Sequence, residues 1–163
     1  MNIKKKNKFF KNVKICDIEK YLPYKFPFLF IDKIIYFKNS KKLTSIKKIS
    51  FKEKFLKSHF PNNPVFPGVL IIESILQSCF YLIHKSAYIN YKFKFCNKKL
   101  CYVSHIKKTI FKKFVVLNDL MIINIKIKKK YKNFVKIFGI VTVNKFLVCK
   151  TSLLVYSENA RYI

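Results

Sequence analysis

Four residues of this chain have types and spacing that could do chemistry: His59, Gly68, Glu73 and Gln77. An imidazole, ordinarily near pKa 6.5, takes up or releases a proton close to neutral pH. A carboxyl at about 4.3 in water holds no proton at pH 7, but burial among apolar side chains raises it. Glu73 stands in such a setting, within a run dominated by Leu, Ile, Val and Phe. Histidine and a raised carboxyl together make a base and an acid suited to general acid–base work. Gln77 follows Glu73 by four residues, one helical turn, where its amide can hydrogen-bond the carboxyl. Gly68 falls where a helix would begin, so its amide and the positive end of the helix dipole are open to an oxygen gaining charge. Plain alternatives stand beside these readings: a buried carboxyl satisfied by hydrogen bonds, an ordinary loop histidine, and a glycine that eases the turn into a helix.

The elements that must hold these residues follow from the surrounding pattern. Pro61, Pro64 and Pro67 keep the chain extended up to Phe66, and Pro67 suits a first helical turn. From 69 to 83 the sequence is apolar almost all round, apart from Glu73, Ser74, Gln77, Ser78 and the Tyr81 hydroxyl, so it predicts a buried helix running to about residue 85. His84 lies eleven residues beyond Glu73, about 16 Å along the axis, which assigns it a structural or exposed place. A short helix is expected over 14–22, stopped by Pro23, and a connection over 86–98. Strands are expected over 30–37, 42–50 (with poor alternation), 100–105, 109–114 and 120–128. A hairpin of 134–143 and 146–156 turns at Asn144-Lys145, where asparagine tolerates positive φ. One buried helix with several antiparallel strands means an α+β fold, the sheet wrapped around the helix.

Composition bounds the rest. The 163 residues, 51% hydrophobic, suit one domain, expected over 13–163 behind a basic, disordered arm at 1–12. A net charge of +28 would ordinarily suggest nucleic acid. Yet Arg161 is the only arginine, and bidentate arginine is what readers of bases lean on. Lysine, Ile, Phe, Asn and Tyr share A/T-rich codons, so the charge reads as drift in base composition, and no specific nucleic-acid partner is expected. Five cysteines without CxxC spacing fit a reducing compartment rather than a disulfide framework. Cys96, Cys101 and His105 lack a fourth partner, so no metal is expected. No signal peptide and no membrane span is read, and a cytoplasmic location is expected.

The order His59-Phe60-Pro61-x-x-Pro64-x-x-Pro67-Gly68-Val69-Leu70-x-x-Glu73-x-x-x-Gln77 resembles the active-site signature of the β-hydroxyacyl-[acyl-carrier-protein] dehydratases of the FabZ type. Pro23-Tyr24-Lys25-Phe26-Pro27-Phe28-Leu29-Phe30-Ile31-Asp32 resembles the same family's P-H-R-F-P-F-L-x-x-D segment, with Tyr24 for histidine and Lys25 for arginine. The resemblance implies a hot-dog fold, with the long helix as the sausage. It implies dehydration of (3R)-3-hydroxyacyl-[acyl-carrier-protein] to the trans-2-enoyl thioester in type II fatty acid biosynthesis, without a cofactor. By resemblance, His59 is the base, Glu73 the acid or the holder of a relay water, and Gly68 polarises the thioester; Gln77 supports Glu73. Tyr102, within Tyr102-Val103-Ser104-His105-Ile106, matches the position of a tyrosine that gates the acyl tunnel in some relatives. The family's P-G-D turn reads Leu117-Asn118-Asp119 here.

The implied partners are a small, acidic acyl carrier protein and a second copy of this chain. His59 and Glu73 of one site would come from different subunits of a homodimer, with a trimer of dimers as the larger assembly the resemblance implies. Competing readings are a hot-dog thioesterase or acyl-binding protein, which generally lacks this signature, and a basic nucleic-acid-binding protein. A dehydratase–isomerase of the same superfamily would carry aspartate at the position of Glu73.

Overall fold

The computed structural model of the chain describes residues 9, 10, 13, 15–91 and 101–163. Its elements are β1 (Phe9–Phe10), α1 (Ile15–Ile18), β2 (Lys33–Lys38), β3 (Lys42–Lys48), α2 (Lys54–Ser58), α3 (Gly68–Tyr91), β4 (Cys101–Phe111), β5 (Leu120–Tyr131), β6 (Phe134–Val143) and β7 (Phe146–Ser157), with a 3-10 turn at Glu158–Tyr162. The strands form one antiparallel sheet in the order β1-β2-β3-β5-β6-β7-β4.

Alternation decides which face of this sheet is dry. On β6, Val135, Ile137 and Val141 are fully buried while Lys136 between them is exposed. The inward face receives α3, which packs against β3, β5, β6 and the C-terminal 3-10 turn. Its 24 residues make a rod about 36 Å long. Ile71, Ile75, Cys79, Phe80, Leu82 and Ile83 bury most of its circumference, the hot-dog arrangement of a helix held by a sheet. Polar residues on the helix have partners. Ser78 Oγ lies 2.7 Å from Ser45 Oγ and donates to the Ser74 carbonyl at 2.7 Å. Ser86 Oγ accepts from the Ser40 amide at 2.9 Å. His84 is structural: its Nδ1–H donates to the Tyr21 carbonyl at 2.7 Å, which leaves Nε2 to accept from the Cys101 thiol at 3.2 Å.

Several bounds differ from expectation, each for a physical reason. The central helix continues past residue 85 to Tyr91, because Ser86 and Ala87 are buried and Asn90 bonds the Tyr162 carbonyl. The first strand begins at Lys33, not residue 30, since the Phe30 amide is taken by a side chain of α3. The first helix shrinks to Ile15–Ile18, the Tyr21 and Leu22 amides both closing on the Ile18 carbonyl. Two expected strands, 100–105 and 109–114, are one strand, β4, broken in register at Val103/His105 and Lys107/Ile110, with Lys108 at φ 52°. The poor alternation of β3 is real at the level of chemistry only: Leu43, Ser45 and Lys47 all point inward. The hairpin turn has positive φ at both Asn144 (50°) and Lys145 (69°), matching the twist of β6 and β7. Within the expected basic arm, Phe9 and Phe10 pair with Lys38 and Phe37, and the remainder lies outside the described residues, as does Cys96.

Candidate active site

The start of α3 is built by proline and glycine. Pro67 has no amide proton to lose and its carbonyl accepts from Leu70 and Ile71 at 3.0 and 3.2 Å, closing the first turn. Gly68 is half-buried, and its amide has no hydrogen-bond partner among the described residues. A Cβ at Gly68 would come within 3.2 Å of the Phe111 ring, at the end of β4. The bare backbone therefore lets strand and helix start approach closely, with a free amide at the positive end of a long helix dipole.

Glu73 sits in the second turn of that helix, half-buried. Desolvation raises its pKa above the usual 4.5, and a hydrogen bond from Gln77 opposes part of the rise. Gln77 is fully buried and wholly committed. Its Nε2 donates to Glu73 Oε1 at 3.0 Å and to the Phe28 carbonyl at 2.9 Å, and its Oε1 accepts from the Phe30 amide at 2.8 Å. One side chain thus ties the acid to the proline-bounded 23–32 segment. Tyr24 of that segment stacks near Phe80, and its hydroxyl is held protonated by burial first and by the Glu73 charge second.

His59 closes the short helix α2, its amide reaching the Leu56 carbonyl at 3.4 Å. Its half-buried ring donates from Nδ1 to the Val65 carbonyl at 3.0 Å, and its own carbonyl accepts from the Val65 amide at 2.8 Å. Val65 in turn bridges Val116, and the Phe66 amide donates to the Val115 carbonyl at 2.7 Å. A carbonyl can only accept, so the proton lies on Nδ1 and the lone pair on Nε2. The Phe60 ring stacks on the imidazole at 4.2 Å.

The structure joins Gln77 to Glu73 directly and sets Gly68 about one and a half turns before Glu73 and two and a half before Gln77 on the same helix. His59 and Glu73 share no hydrogen bond or ion pair within one chain, among the described residues. Tyr102 stands apart: it is 55% exposed, stacks on Tyr156 at 4.9 Å, and its register partner on β7 is seven residues, roughly 23 Å, from that of Phe111. Sequence reasoning paired Gln77 with Glu73 but missed Phe28 and Phe30, whose contributions are backbone groups that no side-chain pattern records. No group of three or more His, Cys, Asp or Glu side chains could hold a metal among the described residues.

The FabA-like domain family matches residues 22–152. Among curated relatives, 3-hydroxyacyl-[acyl-carrier-protein] dehydratase FabZ of Buchnera aphidicola subsp. Schizaphis graminum is 40% identical over 145 residues, 89% of this chain and 92% of that protein. The FabZ of Coxiella burnetii (strain RSA 331 / Henzerling II) is 36% identical over 140 residues, covering 86% of this chain and 96% of the relative. Among solved structures, the dehydratase heterocomplex ApeI:P from Xenorhabdus doucetiae has a TM-score of 0.71 at 13% identity, over 86% of this chain and 90% of that one. A hypothetical thioesterase with coenzyme A from Streptococcus pneumoniae has a TM-score of 0.55 at 11% identity, over 73% and 80%. Identities this low speak for the fold alone. The family match and the curated relatives, spanning nearly the whole chain and its signature, make this protein a member of the FabA-like family and, within it, of the FabZ 3-hydroxyacyl-[acyl-carrier-protein] dehydratases.

Proposed function

We propose that this chain dehydrates (3R)-3-hydroxyacyl-[acyl-carrier-protein] to the trans-2-enoyl thioester and water in type II fatty acid biosynthesis. The observation that carries the reading is Glu73: a carboxyl raised by burial, held by Gln77, on the helix that the family signature opens. His59, with its lone pair on Nε2, removes the proton from the α carbon. Electron density moves into the thioester carbonyl, whose oxygen is met by the Gly68 amide and the helix dipole. As that density returns, the C=C bond forms, the β C–O bond breaks, and protonated Glu73 delivers the proton that completes water. The cycle closes when the His59 proton passes to Glu73 or to solvent. No cofactor is required, since the reaction is an elimination with two proton transfers and no net change of oxidation state.

Each site is shared across a homodimer, His59 of one protomer acting with Glu73 of the other, and dimers associate further in threes. That His59 and Glu73 share no hydrogen bond or ion pair within one chain, among the described residues, fits this. So does the outer edge of β4, last strand of the sheet, where Phe111 (47% exposed) and Ile106 (50%) leave apolar surface uncovered. Tyr102 reaches an acyl tunnel only if the tunnel passes between protomers. The substrate comes on an acidic carrier protein to a cytoplasmic enzyme. No described helix is long and apolar enough to cross a membrane.

The test is direct. Purified protein is mixed with 3-hydroxyacyl groups on acyl carrier protein, and enoyl thioester is followed by absorbance and mass. Enoyl formation that depends on the protein is expected. Release of free thiol without enoyl product would replace the dehydratase reading by a thioesterase.

A further inference from the structure

Lys47 is an inward-facing lysine. It stands on β3 beside Leu43 and Ser45, on the dry face of the sheet, with 6% of its surface exposed. An ammonium in such a place is costly unless it is paired. Lys47 is paired twice. Its Nζ lies 2.7 Å from Glu53 Oε1 and 3.1 Å from Asp32 Oδ1, and Glu53 is itself 5% exposed. The other Asp32 oxygen accepts from the Lys48 amide at 2.7 Å. Buried ion pairs of this kind are often replaceable by apolar residues without loss of stability, so stability alone does not account for the cluster.

Its place in the chain suggests a different use. Glu53 is the residue before the first turn of α2 and makes no side-chain cap bond there, because its carboxylate is given to Lys47. His59 is the residue that closes the same five-residue helix. Lys47 therefore holds one end of α2 while the Val65 carbonyl and amide hold His59 at the other. Asp32 ends the segment whose Phe28 and Phe30 backbone groups are bonded by Gln77, the residue that also bonds Glu73. Through two carboxylates, Lys47 joins the segment that carries His59 to the one that steadies Glu73.

We propose that Lys47 is a positioning residue: its ion pairs with Glu53 and Asp32 fix α2, and through α2 the imidazole of His59. This rests on the dehydratase reading with His59 as the base. A misplacement of the order of an ångström suffices to slow such chemistry about 10- to 100-fold without altering substrate binding elsewhere.

The experiment compares the full-length parent with the Lys47→Met/Glu53→Met double variant, Glu53→Asp and Lys47→Arg. Turnover on carrier-bound substrate, thermal unfolding and the NMR titration of the His59 ring, assigned with His59→Gln, are measured on each. The double variant should unfold near the parent temperature, lose about 10- to 100-fold in kcat with KM changed less than about twofold, and show a displaced His59 resonance beside unmoved His105. Glu53→Asp keeps the charge, falls short of Lys47, and should displace the same resonance in a chain with no apolar replacement. Lys47→Arg, which keeps a cation in reach, should retain most of the turnover. An unmoved His59 resonance in folded Glu53→Asp or double variant overturns the proposal. A parent that forms no enoyl thioester overturns the dehydratase reading instead, since the resonance reports the position of His59 without turnover.

Discussion

Ile75 of α3 lies directly over Gly139 of β6: a Cβ built at Gly139 would sit 2.5 Å from Ile75 Cγ2 and 3.2 Å from its Cδ1. No side chain fits there unless Ile75, the helix or the strand shifts. Ile75 follows Glu73 by two residues, so this contact sets how deeply the acid-bearing turn settles on the sheet. Gly139 is needed for close approach, not for its backbone freedom, since its φ is not positive.

Gly139→Ala should therefore destabilise the fold by about 1–3 kcal/mol, the usual cost of overpacking a well-filled interior. The cost should shrink sharply in an Ile75→Ala background, where the obstructing methyl is gone. Urea unfolding of the two single variants and the double variant checks the coupling. Strictly additive losses would mean that the helix and strand do not meet at this point as described.

Gln77→Leu should be more damaging than its size suggests. The Phe30 amide and Phe28 carbonyl lose their partner together; the buried Phe30 amide is orphaned at a cost of about 1–3 kcal/mol, and the part-buried Phe28 carbonyl adds less. Glu73 loses the hydrogen bond that holds its pKa down, so the pKa moves further up. The high-pH limb of activity, along which Glu73 gives up its proton, should shift toward higher pH in whatever fraction stays folded. An unshifted limb would show that Gln77 supports the backbone and not the acid.

Sharing of sites predicts complementation between two inactive proteins. His59→Ala and Glu73→Gln homodimers should each be nearly inert, whereas a mixed dimer holds one intact pair. After subunit exchange, verified by mass, recovery should approach a quarter of the parent activity, since half of the dimers are mixed and each has one of two sites. Complete absence of recovery, with exchange demonstrated, would place both residues of a site in one chain.

Much of the site was legible in the sequence because proline, glycine and a lone carboxylate in an apolar run each have a local physical meaning. Pro67 and Gly68 marked the start of α3, and the four-residue spacing of Glu73 and Gln77 put them in hydrogen-bond reach. The end of α3 was not legible: Ser86 and Asn90 look like residues of a polar connection until Ser40 and the Tyr162 carbonyl arrive from elsewhere in the chain. The same holds for Lys47. Parity with Leu43 on one strand puts it inward, but its partners Asp32 and Glu53 lie on other segments, and only the fold brings the charges together. The Phe28 and Phe30 half of the clamp around Gln77 was hidden for another reason, being made of main-chain groups that every residue carries.

Glu73→Gln separates a catalytic acid from a merely buried one, because its effects on turnover and on stability have independent signs. The amide keeps size and hydrogen bonding but has no proton to give, so turnover should fall by a factor on the order of 10² to 10⁴. Stability follows from linkage. The folded-state pKa of Glu73 is raised above its unfolded value near 4.5, so the folded parent binds more protons than the unfolded chain between those two values. The parent therefore loses stability as pH rises from about 4.5 through the raised pKa, as the carboxylate becomes charged in a desolvated place. Glutamine has no such loss. The melting temperature of Glu73→Gln relative to the parent should climb across that window and level off above it. Thermal unfolding at a series of pH values and steady-state kinetics on the same preparations read both effects. Near-parent turnover, whatever the melting curves do, would remove Glu73 from the chemistry.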